Sequence, residues 1–144
     1  MEITPERLVA LPDTGTLHPA YLVAGPEMLR VLEAADAVRR MAKAQGIGER
    51  EIFDADGRDF DWGNLEAAFN APSLFSARRL VEVRLPTGKP GKEGAEALIA
   101  FCANPPPDVV LLVTAGEWSK AHQGKWTEAI GRIGMVAIAW AVKP

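Results

Sequence analysis

Short, uninterrupted apolar runs alternate along this chain with longer stretches whose apolar positions recur every three or four residues. The first run, AYLVAG (residues 20–25), shows no polar alternation, which is the pattern of a strand covered on both faces. From residue 27 to about 45 the period changes. Met28, Val31, Leu32, Ala35, Val38 and Ala42 fall at helical spacing, with Glu27 at the start, Arg39, Arg40 and Lys43 towards the end, and Gly46 as a stop. EREIFDADG (49–57) reads as a second strand ending in acidic turn residues. DWGNLEAAFN (61–70) reads as a short helix with Asp61 as N-cap and Trp62, Leu65 and Phe69 on one face. RRLVEVRLP (78–86) is a third strand, TGKPGKEG (87–94) a mobile surface loop, and AEALIAFCAN a third helix stopped by NPPPD. DVVLLVTAG (108–116) is expected to be central and buried. A helix over about 119–133, carrying Trp126 and Ile130, leads to a last strand, MVAIAWAV (135–142).

Five strands interleaved with four helices predict a doubly wound α/β fold, a parallel sheet with helices on both faces. The chain's 144 residues suit one domain over 1–144, and no repeat, heptad pattern or long linker divides it. Sixteen Lys and Arg against 19 Asp and Glu leave a net charge of −3, the wrong sign for a domain that holds DNA by its phosphates. A single cysteine, Cys102, excludes an internal disulfide and a multi-cysteine zinc site, and two histidines exclude a histidine-rich metal site. MEITPERL has neither the basic nor the apolar region of a signal peptide, and no apolar run approaches the ~20 residues of a membrane span. A soluble cytoplasmic domain is the expectation.

In this fold the loop after the first strand is the natural phosphate site. A P-loop there needs a second glycine, a lysine for the β/γ-phosphates and a hydroxyl for magnesium. Aligned on Gly25, those positions hold Arg30, Val31 and Leu32, and Glu27 would repel phosphate. The third strand carries no terminal aspartate to hold magnesium, and the G-x-G-x-x-G fingerprint is absent. The nucleotide site is therefore expected to be inactive, with Arg30 solvated on a helix flank and no cofactor or metal bound. Asp54, Asp56, Asp59 and Asp61 form an acidic cluster for which turn and cap chemistry is the preferred reading. The rival is a receiver-like or metal-dependent phosphotransfer domain using Asp54 and Asp56, although the first strand ends in Ala24 and Gly25 where that chemistry needs carboxylates. Cys102 reads as a buried, inert thiol; His18 and His122 have no catalytic partner in sequence; Arg78, Arg79 and Arg84 read as a solvated strand edge. A small-molecule module with TGKPGKEG as its lid is a third reading.

One loop stands apart. Ala71-Pro72-Ser73-Leu74-Phe75-Ser76 sets two large apolar residues side by side between a proline and a serine. Two consecutive side chains there do not easily share one core-facing direction, and an outward one is an anchor for another protein's pocket. Composition alone favours the alternative, that both fold back under the sheet.

The stretches AYLVAGPEMLRVLEAADAVR, DWGNLEAAFNAPSLFSARRLVEVRLPTGKPGKEG and DVVLLVTAGEWSKAHQGKWTEAI together resemble the delta-subunit family of bacterial DNA polymerase III clamp loaders. The W…SLFS…RRL…LP block and the SKA…W stretch at 119–126 are its more specific parts. The resemblance covers nearly the whole chain and corresponds to the family's N-terminal domain, ahead of a helical lid and a collar. It implies a RecA-like AAA+ domain without ATPase function, in agreement with the dead P-loop. It implies that Leu74 and Phe75 enter a hydrophobic pocket of the beta sliding clamp, with Ser73 and Pro72 shaping the approach, and that binding alone favours the open ring. The other loader subunits would be met mainly through the C-terminal domain, and DNA only within the assembled loader. Ala71 stands where many clamp-binding peptides have Gln, and Pro72 replaces a flexible apolar residue.

Overall fold

A computed structural model of the chain describes residues 1–55, 59–72 and 78–140. Five parallel strands form one sheet: β1 (Ala20–Ala24), β2 (Glu49–Asp54), β3 (Arg79–Leu85), β4 (Val109–Ala115) and β5 (Met135–Ile138), in the spatial order β2-β3-β4-β1-β5. The runs that lack alternation occupy the middle of this sheet. Every residue of β1 is buried, and β3 and β4 each have all but one position buried. β4 is the central strand, as its sequence predicts.

The helices are α1 (Pro5–Val9), α2 (Met28–Ala44), α3 (Trp62–Asn70), α4 (Gly91–Ala103) and α5 (Lys125–Ile133). Right-handed crossovers dictate which face each one covers. The step from β1 to β2 runs one way across the sheet, so α2 lies on one face, where Val31, Ala35, Val38 and Met41 pack with Leu8 of α1 against Tyr21, Val23, Val110 and Leu112. The later steps run the other way, so α3, α4 and α5 share the opposite face. There Trp62, Leu65, Phe69, Leu98, Phe101 and Ile130 meet Leu22, Val81, Val83 and Leu111. Each fully buried Leu, Val or Phe side chain contributes about 1.5–3 kcal/mol.

Several boundaries differ from the sequence expectation, each for a physical reason. α1 was not expected. It is nucleated by the Thr4 side chain, which accepts from the Arg7 amide at 3.2 Å, and by Pro5 at the first position. The segment 87–94 is a loop only over residues 87–90. Its second half is the first turn of α4, and Gly94 faces the Trp62 indole so closely that a Cβ there would lie 2.4 Å from the ring. A glycine that reads as a breaker in sequence is here the residue that lets α4 approach α3. The first half is tied down by His122, whose Nδ1 accepts from the Ser119 amide at 2.9 Å, leaving Nε2 to donate to the Thr87 carbonyl at 3.0 Å. The helix expected over 119–133 is a 3-10 turn (Lys120–His122) followed by α5, with Gly124 as the extended cap between them. β2 ends at Asp54 and β5 at Ile138. Trp140 lies beyond the strand and is 43% exposed, and residues 56–57 and 141–142 of the expected strands lie outside the described residues.

Candidate functional site

The sheet's topology creates a crevice between β1 and β4. These neighbours send their following helices to opposite faces, which is where open α/β sheets take ligands. The crevice lies at the carboxyl ends of the strands, at Gly25 and Gly116. Gly25 has φ +141°, a conformation that favours glycine. A Cβ on it would lie 2.2 Å from the Ala139 carbonyl oxygen, and the Ala139 amide donates to the Ala24 carbonyl at 2.7 Å. The glycine here lets β1 run tightly against the chain leaving β5. Gly25→Ala is therefore expected to lower stability by about 1–3 kcal/mol in a urea melt; an unchanged midpoint would contradict this close approach.

The residues aligned with the P-loop positions do other work. Val31 is buried under the sheet and Leu32 is half in solvent beside exposed Met28 and Leu29. Arg30 is not solvated on a helix flank as expected. It makes a two-pronged ion pair with Glu6 of α1, at 2.8 and 2.9 Å, and donates to the Trp140 carbonyl at 3.1 Å. The hydrogen bond and charge of Arg30 hold the Glu6 carboxyl below the usual carboxylate range against a smaller opposing effect of burial. No lysine or hydroxyl from residues 25–32 is available for a triphosphate. Between the first turn of α2 and the ends of β3 and β4 lies a groove of ≈ 360 Å³, floored by Val31, Leu85 and Ala115 and rimmed by Arg50 and Arg84.

The acidic cluster does not assemble a metal centre. Asp61 caps α3 by accepting from the Asn64 amide at 3.1 Å, and Asp54 faces Arg84 at 3.7 Å. Asp56 lies outside the described residues, and no grouping of three or more metal-ligating side chains occurs among those described. Cys102 is on the buried face of α4, where burial pushes its thiol up to about 11, the environment of a structural cysteine. His122 stacks on Trp118 with ring centroids 5.2 Å apart, and Trp118 meets Trp126 edge-on at 5.7 Å. The SKA…W stretch is thus a packing motif that fastens the turn after β4.

The end of α3 and the start of β3 lie at the opposite, amino-terminal edge of the sheet, because α3 runs antiparallel to the strands. β3 has seven residues and spans ~20 Å, which separates this edge from the Gly25 crevice. Ser73, Leu74 and Phe75 fall outside the described residues; Pro72 is described and exposed. Both stems of the connection are described. Phe69 of α3 packs on Phe101 at 4.7 Å, and Ala71 leaves the helix extended, as a residue before proline must. On the other stem, Arg79 is not part of a solvated edge. It is 3% exposed, and its guanidinium reaches back to donate to the carbonyls of Ala68 and, at 2.7 Å, Ala71. Its Nη1 lies 3.6 Å from the Glu51 carboxylate. Sequence reading missed this residue, although strand alternation puts Arg79 on the same face as Val81 and Val83.

Residues 21–136 match the family model described as DNA polymerase III, delta subunit. The chain belongs to the DNA polymerase III delta-subunit family. It is 33% identical over 131 residues to DNA polymerase III subunit delta of Escherichia coli strain K12, an alignment covering 90% of this chain and 38% of that protein. Its fold matches the DNA clamp loader delta protein of Bacillus subtilis with a TM-score of 0.71 at 20% identity, over 96% of this chain and 42% of the other. It also matches a DNA polymerase III gamma subunit-related protein from Thermotoga maritima, with a TM-score of 0.58 at 15% identity, over 99% and 47%. The chain thus spans less than half the length of each relative. Delta-family membership and the clamp-loader fold agree with the resemblance read from the SLFS and SKA blocks. They do not favour a receiver-like or phosphotransfer domain.

Proposed function

We propose that this chain is the clamp-gripping AAA+ domain of a clamp-loader delta subunit, acting in DNA replication. Leu74 and Phe75 fill an apolar pocket on the beta sliding clamp, with Ser73 and Pro72 setting the approach. The observation that carries this reading is the delta-family match across residues 21–136, which spans the whole SLF connection. The domain performs no reaction. It opens the ring by binding the open state more tightly than the closed one, and the difference in affinity is the only free energy it supplies. Residues 25–32 support a role without nucleotide, since they offer the apolar side chains of Met28, Leu29, Val31 and Leu32 and a committed ion pair where a phosphate cradle needs a lysine and a hydroxyl.

The same reading makes residues 1–144 one domain of a longer cytoplasmic protein, which meets the other loader subunits mainly beyond this chain and meets DNA only in the assembled loader. No described helix is long and apolar enough to cross a membrane. Titrating the chain with the sliding clamp of the same organism, with and without the Leu74→Ala, Phe75→Ala pair, tests the grip. A fluorescent ATP analogue tests the inactive site: no saturable binding is expected at micromolar concentration, and a clear titration there would overturn the non-catalytic reading.

A further inference from the structure

We infer that Arg79 is a positioning residue for clamp binding: its buried guanidinium staples the two stems of the α3–β3 connection and so fixes the span across which Leu74 and Phe75 are offered. This rests on the clamp-gripping reading above and deepens it. Arg79 is the first residue of β3, yet its side chain donates to two carbonyls at the end of α3, at Ala68 and Ala71. Ala68 lies in the last turn of α3, where its carbonyl accepts only a long 3.4 Å bond from the Ala71 amide, and Ala71 is the extended residue that caps the helix; this end of a helix carries partial negative charge. A guanidinium is well matched to them, because its charge faces the negative end of the helix and the two hydrogens of Nη2 alone reach both acceptors. The burial is the telling feature. A cation only 3% exposed is costly unless it is paired, and the carboxylate it faces among the described residues, Glu51, is half-exposed and 3.6 Å away. Its close partners are the carbonyls of the opposite stem.

The consequence is geometric. The backbone of Arg79 is fixed in the sheet by pairing with Glu49 on one side and Val109 on the other, and its amide donates to the Asp108 carbonyl at 2.8 Å. Holding Ala71 to that frame sets the distance between the ends of the intervening segment. A segment with fixed ends loses less conformational freedom when its anchors dock, which is how preorganisation raises affinity. Without the staple the same two anchors remain, but their stems are free to part.

The test compares Arg79→Met and Arg79→Lys with a control, Leu98→Ala, which removes apolar volume from the core under α4 but none of the Arg79 hydrogen bonds. Clamp affinity is measured by calorimetry on the full chain, at a temperature where every variant is fully folded, so that loss of stability by itself leaves the dissociation constant unchanged. Arg79→Met is expected to weaken binding about tenfold, Arg79→Lys less, and Leu98→Ala not at all. Hydrogen exchange at the Ala71 amide supplies a readout that needs no clamp, and it should speed up in Arg79→Met beyond the change in Leu98→Ala. Parental affinity in Arg79→Met overturns the inference, as does an equal loss in Leu98→Ala. If exchange at Ala71 rises as expected but the Leu74→Ala, Phe75→Ala pair binds like the parent, the staple stands and the clamp reading falls, taking the positioning role with it. If Arg79→Met does not fold, Arg79→Lys with the same exchange measurement decides between the outcomes.

Discussion

Replacing Leu74 and Phe75 together by alanine is expected to weaken binding to the sliding clamp by at least about 100-fold while leaving thermal unfolding almost unmoved. Truncating an apolar anchor that fills a partner's pocket costs about 2–4 kcal/mol, and every 1.4 kcal/mol is a factor of ten. Anchor energies are not additive, so the pair is expected to lose less than the sum of the singles, yet one anchor alone exceeds tenfold. Stability should hold because the described residues already cover both faces of the sheet, with α1 and α2 on one side and α3, α4 and α5 on the other. A truncation that acted through the core would do the reverse, costing about 2–5 kcal/mol of stability for each residue. The two readings of this loop therefore separate in one pair of measurements. Calorimetric titration reports the affinity and differential scanning calorimetry the melting temperature. Undiminished affinity defeats the clamp assignment, and a large fall in melting temperature returns both side chains to the interior.

What the sequence made legible is what short-range patterning controls. Continuous apolar runs at 20–25 and 108–116 marked the strands buried on both faces, and the 3.6-residue period marked α2; together these imposed a parallel, doubly wound sheet. The errors came where a residue's meaning depends on a distant partner. Gly94 looks like a helix breaker until Trp62 is beside it, and Trp140 looks like strand until β5 ends two residues earlier. TPERL carries a cap and a proline at the first helical position, a signal that could have revealed α1. The arginines were the hardest to place, because a long cationic side chain in a strand is usually solvated. Arg30 is claimed by Glu6, which lies 24 residues away, and Arg79 by carbonyls 8 and 11 residues back. The apolar pair in the SLF block was legible as a feature, and its use came from the family resemblance and not from the pattern.

Glu82→Gln is expected to cost about 2–4 kcal/mol at neutral pH, the larger of the two stability effects argued for single residues. Glu82 sits in the middle of β3 facing α2, beside Leu80 and Arg84 on the same side of the strand, with its side chain 1% exposed. Arg39 of α2 grips it with Nε at 3.0 Å and Nη2 at 2.7 Å, and Nε of Arg50 on β2 completes the cluster. Arg39 is held in turn by Asp36 at 2.6 Å. Breaking a buried pair costs about 3–5 kcal/mol because the surviving charge is left without compensation. Arg50 is 44% exposed and can rehydrate, which lowers the figure here. The cluster also fixes a pH dependence. Burial works against the Glu82 carboxylate, but the hydrogen bonds and charges of Arg39 and Arg50 outweigh it and hold its pKa below the ordinary carboxylate value. On acidification the unfolded chain takes up this proton first, near pH ~4.3. The stabilisation is therefore complete above about pH 5 and disappears as the pH falls through the lower folded-state value. Urea melts at neutral pH and near pH 3.5 measure this directly. The parent should lose more stability between the two than Glu82→Gln does, while the exposed Glu6–Arg30 pair contributes equally to both proteins and cancels. An identical loss in the two would mean that the cluster does not hold α2, β2 and β3 together.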